Sequence, residues 1–254
     1  MSEIDPTVPH SARVWNHWLG GTDNFPADRA VGDQFAQLYP DITVVARSSR
    51  AFLKRAVTFL AATAGVRQFL DIGTGIPSAE HTHQVAQAAA PDARTVYVDN
   101  DPLVTAHART LLTGASNTDY LDADLHDPAG ILAAAGLDDT RPTAVILMNV
   151  LGHVADPDEA AAIVRHLMGA LPPGSHLVTA DGTNVLDGPA FEAAIEVWNA
   201  NAPLAYHLRH PRELHRFLDG LEILAPGLVP CNRWRPDTDD VREVDEFGAV
   251  ARKP

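Results

Sequence analysis

Cysteine occurs once, at Cys231, so no disulfide can close within the chain, as suits a reducing compartment. No stretch approaches the roughly 20 apolar residues that a membrane-crossing helix needs. The first nine residues are polar and proline-bearing, unlike the apolar core of a signal peptide. A cytoplasmic location with no membrane partner is the resulting expectation. Positive charge is also scarce: 19 lysines and arginines stand against 33 aspartates and glutamates, a net charge of −14. Such a surface repels phosphate backbones at long range, which argues against nucleic acid as a partner. Long internal repeats and low-complexity tracts are lacking as well.

What is present suffices for one sizeable core: 254 residues, 46% of them hydrophobic. From Arg67 onward, short apolar runs alternate with amphipathic segments. Strands are predicted at 68–71, 95–99, 119–123 (the weakest), 143–148 and 176–180. Helices are predicted at 78–90, 102–112, 128–135 and 157–171. This alternation implies an α/β fold, a doubly wound Rossmann-like sheet that is mostly parallel. Pro102, Pro128 and Pro157 stand near helix starts, where the missing N–H costs nothing. Helices at 189–199 and 211–218 and late strands at 221–224 and 241–250 follow, with a late antiparallel strand expected. Residues 9–60 read as two or three helical pieces split at Gly20-Gly21 and at Pro40. The expected division is a helical extension or lid over 1–66, packed across the sheet's carboxyl edge, and a sheet domain over 67–254.

The central motif runs Phe69-Leu-Asp-Ile-Gly-Thr-Gly-Ile-Pro-Ser78. A buried strand ends in Asp71 and turns through Gly73, Thr74 and Gly75 toward a helix beginning at Ser78. Glycine lets the backbone reach positive φ and approach a ligand without a Cβ, which would sit beyond the strand's carboxyl end. A dinucleotide site would carry a third glycine where Ser78 stands, and Asp71 would repel a pyrophosphate. An acid is useful instead if the ligand presents an ammonium group, as the methionine part of S-adenosylmethionine does; the plainer reading of Asp71 is a helix cap. The second strand ends in Asp99, followed by Asn100, where a carboxylate can take both ribose hydroxyls. After the third strand, Asp124 can accept the adenine amino group and the Leu125 N–H can meet a ring nitrogen, unless the segment is an ordinary acidic loop. Asn149 ends the fourth strand, within reach of cofactor or acceptor. His153 lies just beyond it, as a general base or as a structural histidine. The twelve histidines form no recognised zinc spacing with acids or Cys231, so no metal is expected.

These motifs match Rossmann-type methyltransferases. The segment Pro9-His-Ser-Ala-Arg-Val-Trp-Asn-His-Trp-Leu-Gly-Gly-Thr-Asp-Asn-Phe-Pro-Ala-Asp-Arg29 resembles the N-terminal signature of a bacterial family of S-adenosylmethionine-dependent methyltransferases long catalogued as a domain of unknown function. Residues 47–60, 173–179, Arg233-Trp-Arg-Pro236 and the ending Ala249-Val-Ala-Arg-Lys-Pro254 resemble it too. The resemblance implies the fold and S-adenosylmethionine as cofactor, and leaves the acceptor and the oligomeric state open. Where a His-His pair often follows the fourth strand of that family, this chain has Gly152-His153; where Ser-His often follows the fifth, it has Ala180-Asp181.

Three functions follow in order of preference. The first is methyl transfer to a small molecule, entering between the N-terminal helices and residues 181–211. The second is a protein that binds S-adenosylmethionine or S-adenosylhomocysteine without catalysis. The third, an NAD-dependent oxidoreductase, is disfavoured by Asp71 and Ser78. Residues 20–25 are expected to fold over the methionine end of the cofactor, fixed by Arg13, Asn24 or Arg29.

Overall fold

The structure is a computed structural model that describes residues 4–76, 80–111, 116–238 and 242–254, without the side chains of 107–111. Ser78, Leu112 and Val241 lie outside the described residues.

Five parallel strands form the frame: β1 (Gln68–Ile72), β2 (Arg94–Asp99), β3 (Thr118–Asp122), β4 (Thr143–Met148) and β5 (His176–Gly182). Three late strands complete the sheet: β6 (Glu222–Ile223), β7 (Val229–Pro230) and β8 (Glu246–Arg252). The order is β3-β2-β1-β4-β5-β8-β6, with β7 also on β8, and β8 runs antiparallel to β5. β1 and β5 are buried along their whole length, as strands covered on both faces must be, so their side chains form near-continuous apolar runs. Edge strand β3 is half-exposed, which explains its weak apolar pattern in the sequence.

Alternate residues feed two separate cores. Phe69, Ile146, Val178 and Val250 pack against Phe52, Leu60, Phe191 and Trp198 on one face. Leu70, Val98, Leu147 and Leu177 pack against Ile131, Val164, Leu167 and Leu214 on the other. The first face is covered by α3 (Ile42–Ala62), α4 (Thr82–Ala89) and α8 (Gly188–Asn201). The second is covered by α6 (Pro128–Ala135), α7 (Pro157–Ala170) and α9 (Pro211–Arg216); α5 (Pro102–Leu111) joins β2 to β3. The helix predicted at 78–90 begins only at Thr82, since the described Glu80 and His81 are not helical and His81 is its N-cap, and β7, a proline-containing pair, has no counterpart among the predicted strands.

Ahead of the sheet come α1 (Ser11–Trp18) and α2 (Pro26–Leu38). Asp28 is fully buried and joins them, accepting hydrogen bonds from the His10 N–H at 2.9 Å and the Phe25 N–H at 2.8 Å. On α3, the Arg55 guanidinium donates to the carbonyls of Trp234 and Cys231, both at 2.9 Å, tying the helix to the segment before β8. A buried carboxylate, Asp245, then accepts from the Thr183 hydroxyl and from the N–H groups of Val185, Leu186 and Asp187 at 2.6–3.1 Å. That cage locks the start of β8 beside the end of β5, pairing Glu246 with Gly182. None of the helices in the described residues is long and apolar enough to cross a membrane.

Candidate active site

A cavity of about 260 Å³ opens at the carboxyl ends of the parallel strands, roofed by α1 and α3 and flanked by α8. Open α/β sheets bind ligands at this edge. Asp71, Gly73, Thr74, Gly75, Asp99, Asn100, Asp124, Leu125, Asn149 and His153 all line it.

The glycine loop is tied to β2 by the N–H groups of Gly73 and Thr74, which donate to the Val98 carbonyl at 2.8 and 3.3 Å. Both glycines have positive φ, +72° at Gly73 and +64° at Gly75, where a Cβ is strained. Their surroundings differ. A Cβ on Gly73 would stand 2.5 Å from a Val150 methyl, whereas one on Gly75 meets nothing nearer than Ala12 Cβ at 3.9 Å. Gly73 therefore permits packing, and Gly75 leaves an open face toward the cavity.

The three acids have different environments. Asp71 is buried and accepts the Thr82 hydroxyl at 2.6 Å. Burial pushes its pKa up to about 6, against the Thr82 bond and the neighbouring Arg50 guanidinium. Asp71 therefore bonds a side chain of α4 and caps none of its N–H groups, the N-cap being His81, and it lines the cavity as well. Asp99 accepts the Gly75 N–H at 2.7 Å on one oxygen and the Asp101 N–H at 3.0 Å on the other. Burial raises its pKa, and those two bonds oppose the shift; a carboxylate has about four acceptor sites, so two remain. Asp124 is more open and is bonded by the His126 N–H at 2.9 Å and ring Nδ1 at 2.7 Å. The backbone bond from His126 is the main cause that lowers its pKa.

Beyond β4, Asn149 adopts a left-handed backbone with φ +55°, a conformation asparagine tolerates better than most residues. Its Nδ2 donates to Ser49 Oγ at 3.2 Å, and its Oδ1 lies 3.3 Å from the Tyr206 hydroxyl. His153 has its Nδ1 2.8 Å from the Ala205 carbonyl. A carbonyl only accepts, so Nδ1 carries the proton and Nε2 is left as an acceptor. Burial lowers the pKa of His153 to about 4, so the ring is neutral.

Asn24 is the described candidate that the cavity leaves out. Its amide donates to Asn16 Oδ1 and the Gly21 carbonyl, both at 2.9 Å, and Arg29 turns back onto Asn24 itself. Arg13 donates to the carbonyls of Asp5 and Val8 at 3.2 and 2.8 Å. In this structure residues 20–25 do not line the cavity; its cover there is His10 together with Ala12, Trp15 and Trp18 of α1. The turn folds onto Asn16 because its N–H and amide donors find partners there.

Sequence reasoning missed several lining residues. Arg50 is one cation on a long helix, with nothing local to set it apart. Trp15 and Trp18 have ordinary amphipathic spacing. Tyr206 and Glu246 meet the cavity only through strand pairing and chain return, which carry no short-range signal. Among the described residues no group of histidines, cysteines and acids could hold a metal ion.

Residues 1–254 match the family described as S-adenosyl methyltransferase. A DUF574 family protein from Streptomyces avermitilis is 41% identical, with TM-score 0.94 over 99% of this chain and 100% of that one. A provisionally named methyltransferase from Thermobifida fusca is 37% identical, with TM-score 0.91 over 97% and 96%. At the level of fold alone, the chain is similar to the N-methyltransferase NodS from Bradyrhizobium japonicum in complex with S-adenosyl-L-homocysteine. That pair shares 16% identity and TM-score 0.52 over 79% of this chain and 85% of that one. Among curated proteins none matches the chain.

Proposed function

The chain belongs to the S-adenosyl methyltransferase family and is an S-adenosylmethionine-dependent methyltransferase; from that premise we propose that the cavity binds the cofactor along β1–β3 and methylates a small molecule seated beside β4 and β5. One observation carries this reading: three strand-end acids and a positive-φ glycine loop share one cavity wall.

The residues fit the cofactor group by group. Asp71 faces the ammonium of the methionine end, and Arg50 on the same wall suits its carboxylate. Gly75 offers its bare backbone. Asp99 uses its remaining acceptor sites for the ribose hydroxyls. Asp124 and the Leu125 N–H take the adenine edge, with Asn100 and Thr74 beside them. When bound, the cofactor supplies a methyl group on a positively charged sulfur. Because that transfer is an in-line displacement, positioning and water exclusion are the protein's main tasks. Trp15 and Trp18 exclude water from above, Asn149 orients the acceptor at the end of β4, and neutral His153 offers it Nε2. The acceptor enters between the N-terminal helices and residues 181–211, whose Phe191, Trp198 and Tyr206 line the cavity.

Calorimetric titration of S-adenosylmethionine, S-adenosylhomocysteine and NAD into the purified protein tests the reading. The first two should bind and NAD should not; NAD binding with no response to either sulfur ligand would overturn it.

A further inference from the structure

The acceptor half of the cavity has a chemical character of its own, and an inference about it rests on the methyl-transfer reading above. Away from the acids of β1–β3, the walls are Trp18, Phe35, Met148, Phe191, Trp198 and Tyr206. Glu246 opens into these apolar surroundings from the first position of β8. It is fully buried. Ser49 and Asn149 adjoin its carboxyl and favour the ionised form, yet neither oxygen receives a hydrogen bond of acceptable geometry. A second buried acid stands near. Asp181 accepts the Gly152 N–H at 2.9 Å and the Tyr206 hydroxyl at 3.1 Å on Oδ1, while Oδ2 has no partner. The buried Arg209 donates to the carbonyls of Leu151 and Val154, and its charge favours the ionised form of Asp181.

A buried carboxyl without hydrogen bonds is costly, and a ligand that supplies N–H donors or positive charge relieves the cost. Aromatic walls favour a cation further. A carboxylate or phosphate ligand would instead meet the Glu246 carboxyl, with buried Asp181 behind it. A hydroxyl brings a single donor, whereas an ammonium group can serve both oxygens.

We propose that the methyl acceptor is a primary or secondary amine on a flat, apolar body, and that Glu246 is the catalytic residue that binds its nitrogen and takes its proton. The acceptor arrives as an ammonium ion, and one N–H proton passes to a Glu246 oxygen, freeing the nitrogen lone pair. The nitrogen then attacks the methyl carbon. The N–C bond forms as the C–S bond breaks, its electron pair stays on sulfur, and the positive charge moves to the methylated nitrogen. The proton on Glu246 returns to water when the product leaves. Burial pushes the Glu246 pKa up to about 8 in the ligand-free protein, so the acid first loses its own proton to water as the ammonium ion binds beside it, and the carboxylate then takes the acceptor's proton. Asp181 on β5 adds to that rise, while Ser49 on α3, Asn149 after β4 and Cys231 before β8 oppose it.

The probes 2-phenylethylamine, 2-phenylethanol and phenylacetate share one body and differ in the reacting group. Their binding to protein saturated with S-adenosylhomocysteine is measured by calorimetry, and methylation with S-adenosylmethionine by mass spectrometry. The amine should bind at least about tenfold more tightly than the other two, the scale of a charged hydrogen bond, and should gain one methyl group. In Glu246→Gln the preference should vanish while S-adenosylhomocysteine affinity is unchanged. Equal or tighter binding of the alcohol or the acid, no binding of the amine, or a preference surviving in Glu246→Gln would each overturn the proposal. If Glu246→Gln does not fold, the wild-type comparison decides alone. Failure of S-adenosylhomocysteine to bind wild type would sink the cofactor reading and this proposal together; absence of an amine preference in wild type with that ligand bound sinks this proposal only.

Discussion

Asp99 and Gly75 meet through a 2.7 Å hydrogen bond, so each shapes what the other offers a ligand. Replacing Asp99 with alanine removes the proposed acceptor for the ribose hydroxyls and leaves the Gly75 N–H without its partner. The expected loss of cofactor affinity is about 1.5–3 kcal/mol, the range for charged hydrogen bonds, and titration of S-adenosylhomocysteine into folded variant protein checks it. The two loop glycines should separate by symptom. Gly75→Val should abolish binding with little change in melting temperature beyond about 1–2 kcal/mol of left-handed strain, because its Cβ side is open. Gly73→Val should lower the melting temperature far more, since its Cβ would strike Val150. Equal effects of the two on stability would contradict this division. At this scale the sequence was informative where a residue's role is local: the acids and glycines stand at strand ends in a recognisable order. It was silent on Glu246, whose surroundings come from Ser49, Asn149 and Gly182, each far away along the chain.

Among the elements, α1 covers the cavity in this structure, part of the N-terminal helices expected across the sheet's carboxyl edge. The turn at 20–25 attracted attention by its glycines and polar side chains, but those donors satisfy themselves on Asn16. Helix α1 gave no sign beyond a pair of tryptophans three apart, a spacing that core packing explains equally well. Hydrogen exchange distinguishes the two covers. Adding S-adenosylhomocysteine should protect Ser11–Trp18 and leave residues 20–25 nearly unchanged; the reverse would restore the turn as the lid. Trp15→Ala should cost about 1 kcal/mol or more of cofactor affinity from lost apolar cover. Strands β1, β2, β4 and β5 were legible because burial on both faces demands apolar runs. β7 was not, since two residues including a proline carry no periodicity.

Over the whole molecule, buried acids link stability to pH. Burial raises Asp71 to about 6, Asp181 to about 7 and Glu246 to about 8. A carboxyl whose folded pKa is raised stabilises the fold at low pH, and that contribution is lost as pH climbs through the folded value. Buried His153 works oppositely: its pKa, lowered to about 4, costs stability as pH falls below the usual histidine value. The histidine effect is spent by about pH 6.5, so from there to about pH 8 the acids decide. The melting temperature of the ligand-free protein should therefore fall across that window, and the slope should be smaller in Glu246→Gln. A flat or rising profile would contradict the burial of these carboxyls. The same groups explain why charge counting could not have found them: the net charge of −14 sums every acid in the chain and does not separate the buried ones from the rest.

In the proposed mode of binding, the carboxyl edge of β1–β3 holds S-adenosylmethionine with its methyl directed toward β4 and β5. A crystal structure of the protein with S-adenosylhomocysteine tests it most directly. The ribose hydroxyls should lie on Asp99, the adenine at Asp124 and Leu125, and the sulfur should point toward Asn149 beneath α1. A ligand bound elsewhere, or one lying in this cavity with its ribose away from Asp99 and its sulfur turned from Asn149, would contradict it.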